Sequence, residues 1–132
     1  MFQKEVAERI VAAPGSEAYG RLAILSQWSA SARKLFDIDR RAFTPPPKIT
    51  SSVVQLIPKA AREPACDTRI LEKVTAAAFG QRRKMLRSSL KSLIPAPQDL
   101  LANLGIDANL RAEQLAIADF ARIAQALETN TS

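Results

Sequence analysis

Histidine is absent from this chain, and cysteine occurs once, at Cys66. A zinc site built from Cys and His is therefore excluded for want of ligands. An internal disulfide is excluded as well, and Cys66 reads as a small apolar residue in a reducing compartment. With no histidine to act as a base, Ser51 and Ser52 read as strand residues and not as nucleophiles. The few glycines stand apart, at positions 15, 20, 80 and 105. That spacing excludes a glycine-rich loop of the kind that cradles phosphates. No apolar run approaches the length of a membrane span, and the N-terminus lacks the form of a signal peptide. The expected location is the cytoplasm, with no membrane partner.

What is present is enough for a packed core: 47% of the 132 residues are hydrophobic, which argues against global disorder. Lys and Arg number 19 against 13 acidic residues, a formal charge of +6. The pI is near 10.0. Such a balance favours an acidic partner such as nucleic acid or an anionic surface.

Periodicity predicts a short helix over residues 4–12, with Val6, Ile10 and Val11 on one side. Pro14-Gly15-Ser16 breaks it, and Ser16 is a candidate N-cap for a second helix running to about Trp28 with Ala18, Leu22 and Leu25 inward. Tyr19 and Trp28 read as packing residues. Lys4 and Arg9 beside Glu5 and Glu8 point to surface ion pairs and not to a carboxylate dyad. Alternation over 32–38 sets Lys34, Phe36 and Ile38 against Arg33, Leu35 and Asp37 and predicts a strand. The β-branched run 49–57 predicts another. Between them the prolines of Phe43-Thr44-Pro45-Pro46-Pro47-Lys48 force a stiff extended loop. Residues 59–67 read as a linker, and everything beyond reads as helical. Ile70, Val74, Ala77 and Ala78 form one apolar stripe, and Leu86, Leu90 and Leu93 another. A short helix over 98–104 ends at Gly105. Ala116, Phe120, Ile123, Ala124 and Leu127 face inward on the last helix. The fold class is therefore mixed: a small α/β piece followed by an all-α bundle of about four helices.

Two segments carry chemistry. The run from Gln81 to Lys91 holds Arg82, Arg83, Lys84, Arg87 and Lys91 with no acid among them. On one continuous helix, Arg83, Arg87 and Lys91 recur at four-residue spacing, leaving the leucines on an adjoining face. The basic side then meets phosphates, or is simply a solvated face; the lack of interleaved Glu favours RNA. The second segment is the proline loop. Phe43 either fills a gap in the core, the reading the residues alone prefer, or stacks on a flipped base. Lys48 is in reach of a phosphate or is an ordinary surface lysine.

The stretches MFQKEVAERIVA, PGSEAYGRLAILSQW, FTPPPKITSSVV, AAFGQRRKMLRSSLK and GIDANLRAEQLAIADFARIA occur in that order. Together they resemble the bacterial small-subunit (16S) rRNA adenine dimethyltransferase family, that of the kasugamycin-resistance dimethyltransferase, in its C-terminal half. The resemblance implies dimethylation of the exocyclic amines of two adjacent adenines near the 3′ end of small-subunit rRNA, with S-adenosylmethionine as methyl donor. It implies a Rossmann-like methyltransferase sheet whose last strands and helices occupy residues 1–60. Residues near 1–4 would end the fifth strand, 32–38 would be the sixth and 49–57 the seventh. A small helical rRNA-binding domain would follow over 61–132.

The resemblance also places Phe43 against the flipped target adenine, in favour of the stacking reading. It makes Lys48, Arg82, Arg83, Lys84, Arg87 and Lys91 RNA contacts, and small-subunit rRNA or the pre-30S subunit the partner. The family's cofactor loop and its catalytic Asn-(Leu or Ile)-Pro-Tyr motif match nothing here: Asn103 is followed by Leu104 and Gly105. The expectation is that no catalytic residue and no S-adenosylmethionine site lie in this chain, which alone is inactive. A truncated sheet would self-associate, or leave residues 1–12 disordered. From a different class, a stand-alone basic helical RNA-binding module remains an alternative.

Overall fold

Two antiparallel strands, β2 (Ala30–Ile38) and β3 (Ser51–Pro58), form the largest part of a three-stranded sheet in this computed structural model, which describes residues 1–131 and the side chains as far as Glu128. Ser132, the last residue of the expected helical domain, lies outside the described residues. The short strand β1 (Phe2–Gln3) pairs with β3 on the other side, giving the order β1-β3-β2 with every pairing antiparallel. Val53, Val54 and Ile57 supply the branched side chains that suit a pleated surface.

The predicted alternation in β2 does not survive intact. A bulge at Leu35 puts Phe36 opposite Val53 while Lys34 lies opposite Val54, so Lys34 and Phe36 fall on opposite faces. Lys34 instead shares a face with Asp37, to which its ammonium lies 3.0 Å away. The other face leaves Phe36 56% and Ile57 53% exposed.

Residues 1–12 are ordered: β1 leads directly into α1 (Lys4–Ile10), which buries Ala7 and Ile10, while Val6 and Val11 are half-buried. The next helix, α2 (Arg21–Ser29), starts later than Ser16 suggested. Its N-cap is Gly20, and the Ser16 hydroxyl donates backwards to the Ala13 carbonyl at 2.7 Å. The buried face also differs from the expected one. Ala23, Ile24 and Trp28 are buried, whereas Leu22 is 40% exposed.

The remaining elements are α3 (Thr68–Gly80), α4 (Leu86–Ser89), α5 (Pro97–Asn103) and α6 (Ile117–Thr131). Asp67 caps α3 by accepting from the Arg69 N–H at 2.8 Å. Pro97 sits in the first turn of α5, where its missing N–H costs nothing, and Gly105 follows at φ +72°. Leu71, Val74, Leu86, Leu90, Leu101, Phe120 and Ile123 form the bundle core, and Ala116, expected inward, is exposed. Tyr19, Ile24 and Trp28 belong to that same hydrophobic cluster, so α2 is a shared wall between sheet and bundle. Tyr19 donates to the Leu115 carbonyl at 2.8 Å and Trp28 Nε1 to the Pro64 carbonyl at 2.9 Å.

Candidate nucleic-acid interface

The basic segment is not the continuous helix its spacing predicts. The α3 helix stops at Gly80, residues 81–84 form a turn, and Met85 is extended before α4 begins. Two local causes act together. Glycine is a poor helix former, and three adjacent cations with no acid three or four residues away form no ion pair that would hold the helix on. A distant segment then captures the freed backbone. Met85 bridges to Arg111, the Leu86 N–H donates to Leu110 O at 2.8 Å and the Arg87 N–H to Ala108 O at 3.0 Å. The leucine prediction holds: Leu86 and Leu90 are fully buried and Leu93 is half-buried.

The five cations consequently differ in kind. Arg82 is tethered: its guanidinium donates to the Glu17 carbonyl at 3.2 Å, lies 3.7 Å from the Glu113 carboxylate and stands 5.8 Å from the centroid of the Phe79 ring. Arg83, Lys84, Arg87 and Lys91 are exposed and have no ion-pair partner among the described residues. The bridge adds a residue that sequence reasoning missed. Arg111 is exposed, equally without an acidic partner among the described residues, and sits directly across from Met85. Nothing in the local sequence marks it; only the strand-like pairing brings it to this surface. Exposed positive charge over buried leucines is suited to phosphates and not to bond-making chemistry.

Phe43 and Lys48 lie elsewhere, on the connection between β2 and β3. A 3-10 turn over Arg40–Ala42 opens that connection, with Asp39 accepting from the Arg41 N–H at 2.9 Å and pairing with its guanidinium at 2.9 Å. Those Arg41 contacts hold the Asp39 carboxyl below the usual carboxylate range. Phe43 follows the turn, half-buried and outside the hydrophobic cluster, and Lys48 is exposed. Beside them a cleft of about 570 Å³ is lined by Asp37, Ile38, Asp39, Arg40, Arg41 and Thr50. At its edge the Ser52 hydroxyl donates to Asp37 at 2.5 Å. That bond, with the Lys34 ammonium, draws the Asp37 carboxyl downward. No hydrogen bond or ion pair among the described residues joins this loop to the basic turn.

The chain belongs to the ribosomal RNA adenine dimethylase family, whose model matches residues 1–129. It is similar to the ribosomal RNA small subunit methyltransferase A of Azorhizobium caulinodans, with 60% identity over 96% of this chain and 43% of that protein. The protein of the same name from Paramagnetospirillum magneticum is 57% identical over 99% of this chain and 46% of its own length. A dimethyladenosine transferase from Plasmodium falciparum superposes with a TM-score of 0.85 at 25% identity, covering 98% of this chain and 56% of that one. The chain thus spans less than half the length of the curated relatives it matches. No helix among the described residues is long and apolar enough to cross a membrane.

Proposed function

We propose that this chain is the RNA-holding part of an rRNA adenine dimethyltransferase. In this reading the whole enzyme dimethylates two adjacent adenines near the 3′ end of small-subunit rRNA, and this chain's partner is that RNA or the pre-30S subunit, in the cytoplasm. The observation that carries it is the ridge of unpaired cations, Arg83, Lys84, Arg87, Lys91 and Arg111, on a unit of this family. Arg82 belongs to the same surface as its tethered member.

The same proposal assigns β1, β2 and β3 to the last strands of a Rossmann-like methyltransferase sheet within residues 1–60. Residues 61–132 are then the rRNA-binding domain. All three strands lie before residue 60 and none of the described residues after it forms one, which supports that division. Phe43, stiffly held and outside the core, packs against the target adenine, and Lys48 reaches a neighbouring phosphate. The exposed apolar face around Phe36 and Ile57 is where copies of this chain associate when nothing else covers it.

S-adenosylmethionine supplies the methyl groups in this family's chemistry. The described residues do not fit a site for it. The glycines at 15, 20, 80 and 105 are isolated and make no glycine-rich loop, and the sheet-end carboxylates Asp37 and Asp39 are already engaged by Ser52, Lys34 and Arg41. This chain's own part is to bind and orient RNA. The test is a titration of the 132-residue chain against a fragment of small-subunit rRNA over a salt series. Affinity falling with a slope of roughly −0.7 to −0.9 per phosphate contact supports the reading. Binding that ignores salt, or none at low salt, overturns it.

A further inference from the structure

We propose that a second cleft, between α1, the segment leading into α2 and the end of α3, binds one nucleotide unit of single-stranded RNA. The proposal rests on the RNA-binding reading above and gives it a second, separate contact. The cleft has a volume of about 370 Å³ and is lined in part by Arg9, Arg21, Arg82, Tyr19, Leu22 and Phe79.

Its two halves have different chemistry. One half is apolar. The Phe79 ring is partly exposed and rests against Tyr19, with centroids 6.2 Å apart at 70°. The Tyr19 hydroxyl points away, committed to the Leu115 carbonyl. Leu22 stands 40% exposed at the cleft instead of packing inward. The Arg82 guanidinium over Phe79 extends this surface with a planar group, and planar guanidinium and aromatic faces are what unstacked bases rest on.

The other half is polar. Three guanidiniums and the Glu17 carboxylate line the cleft. Arg9 is already engaged by Glu5 at 2.7 Å and Arg82 by Glu113 at 3.7 Å. Among the described residues Arg21 has no acidic partner and is bonded to a neutral acceptor, the Glu72 carbonyl at 3.3 Å, so it supplies the positive charge that a phosphate would meet. Gly20 gives α2 no side-chain cap, and Gly20, Arg21 and Leu22 all border the cleft. The first N–H groups of α2 therefore reinforce the positive field beside Arg21. A phosphate against Arg21 and a base against Phe79 and Leu22 satisfy both halves. Arg82 belongs to this cleft and to the basic turn alike, so a strand lying on the turn passes into the cleft without leaving the protein.

The test is the NMR spectrum of the 132-residue chain titrated with a short oligoadenylate and, separately, with inorganic phosphate. Oligoadenylate is expected to shift the amides of Gly20, Arg21 and Leu22 together with the Phe79 ring. Arg21→Gln should weaken that response about tenfold or more, the scale of one hydrogen bond to a charged group. Arg33→Gln, at an exposed position of β2 outside both the cleft and the basic turn, should keep it. Leu22→Ser, at an exposed position, gives an independent reading if the Arg21 variant does not fold, and should diminish the Phe79 shifts. Shifts confined to residues 81–91, or an R21Q response equal to wild type, overturn the cleft while leaving the basic turn as an RNA contact. Phosphate that moves the amides while oligoadenylate leaves Phe79 still means an anion site and overturns the nucleotide assignment. An absence of salt-dependent RNA binding by the whole chain is a separate result, and it removes the functional reading itself.

Discussion

Met85 and Arg111 face one another across a single antiparallel bridge, and this contact decides the shape of the basic surface. It holds the 81–84 turn away from a helical path and carries Arg111 onto the same ridge. Replacing Arg83 and Arg87 by Gln should therefore flatten the salt dependence of RNA affinity by about one to two units of slope, and adding Arg111→Gln by about one more. Folding should persist, since buried leucines and not these arginines anchor the segment. Equal slopes for folded wild type and variants would mean that the ridge is only solvated charge.

Tyr19→Phe should destabilise the protein by about 1–3 kcal/mol in urea denaturation. The ring still fills its place, but the buried Leu115 carbonyl loses its donor. Burial, with the charge of Asp119 adding to it, also pushes the Tyr19 phenol well above its ordinary range. An unchanged midpoint would show that this hydroxyl is not needed.

Ser89 gives the opposite expectation. It is 2% exposed, and its hydroxyl has no hydrogen-bond partner among the described residues. Ser89→Ala should leave stability unchanged or raise it by up to about 1 kcal/mol, because it removes a buried polar group without orphaning another. A drop in thermal midpoint would mean that this hydroxyl does make a stabilising hydrogen bond.

Burial pushes the Cys66 thiol up to about 11, with the charges of Glu128 and Asp67 adding to the effect. The thiol is therefore neutral at pH 8. Alkylation by iodoacetamide should run roughly tenfold to a hundredfold slower than for an ordinary thiol and accelerate steadily as pH rises toward 11. Glu128→Gln should speed it. Rapid labelling at pH 7 would contradict this environment.

Phe36 and Ile57 share the uncovered face of the sheet. Replacing both with Lys should shift sedimentation velocity from associated species to monomer at the same protein loading. A wild-type chain that stays monomeric at high concentration would remove the reason for the substitution.

Local pattern made some of this architecture readable and left the rest dark. The branched residues of β3 and the leucines at 86 and 90 announce themselves because burial on one surface imposes their spacing. The break after Gly80 does not, since cations four apart look alike on a helix or a turn. What decides between them is the Leu110 and Ala108 carbonyls, which lie far along the chain. Leu22 is a related case: apolar residues lie on both sides of α2, so spacing alone does not tell the Leu22 side from the side of Ala23, Ile24 and Trp28 that packs inward. The bulge at Leu35 likewise reverses a face that strict alternation had assigned. The proline loop and basic run were legible as candidate contacts, whereas Arg111 and the Arg21 cleft exist only through tertiary pairing.

The bond from Tyr19 to Leu115 joins positions 96 residues apart. A ribosome making this chain releases Tyr19 long before Leu115 has been synthesised. Trp28 finds its acceptor at Pro64 much sooner, only 36 residues on. The hairpin and the segment fastened to Trp28 therefore have their partners early, while the aromatic pocket around Tyr19 and Phe79 waits for the last helix to emerge. During that interval the nascent chain carries half a core open to solvent, and this is when it is most in need of a chaperone.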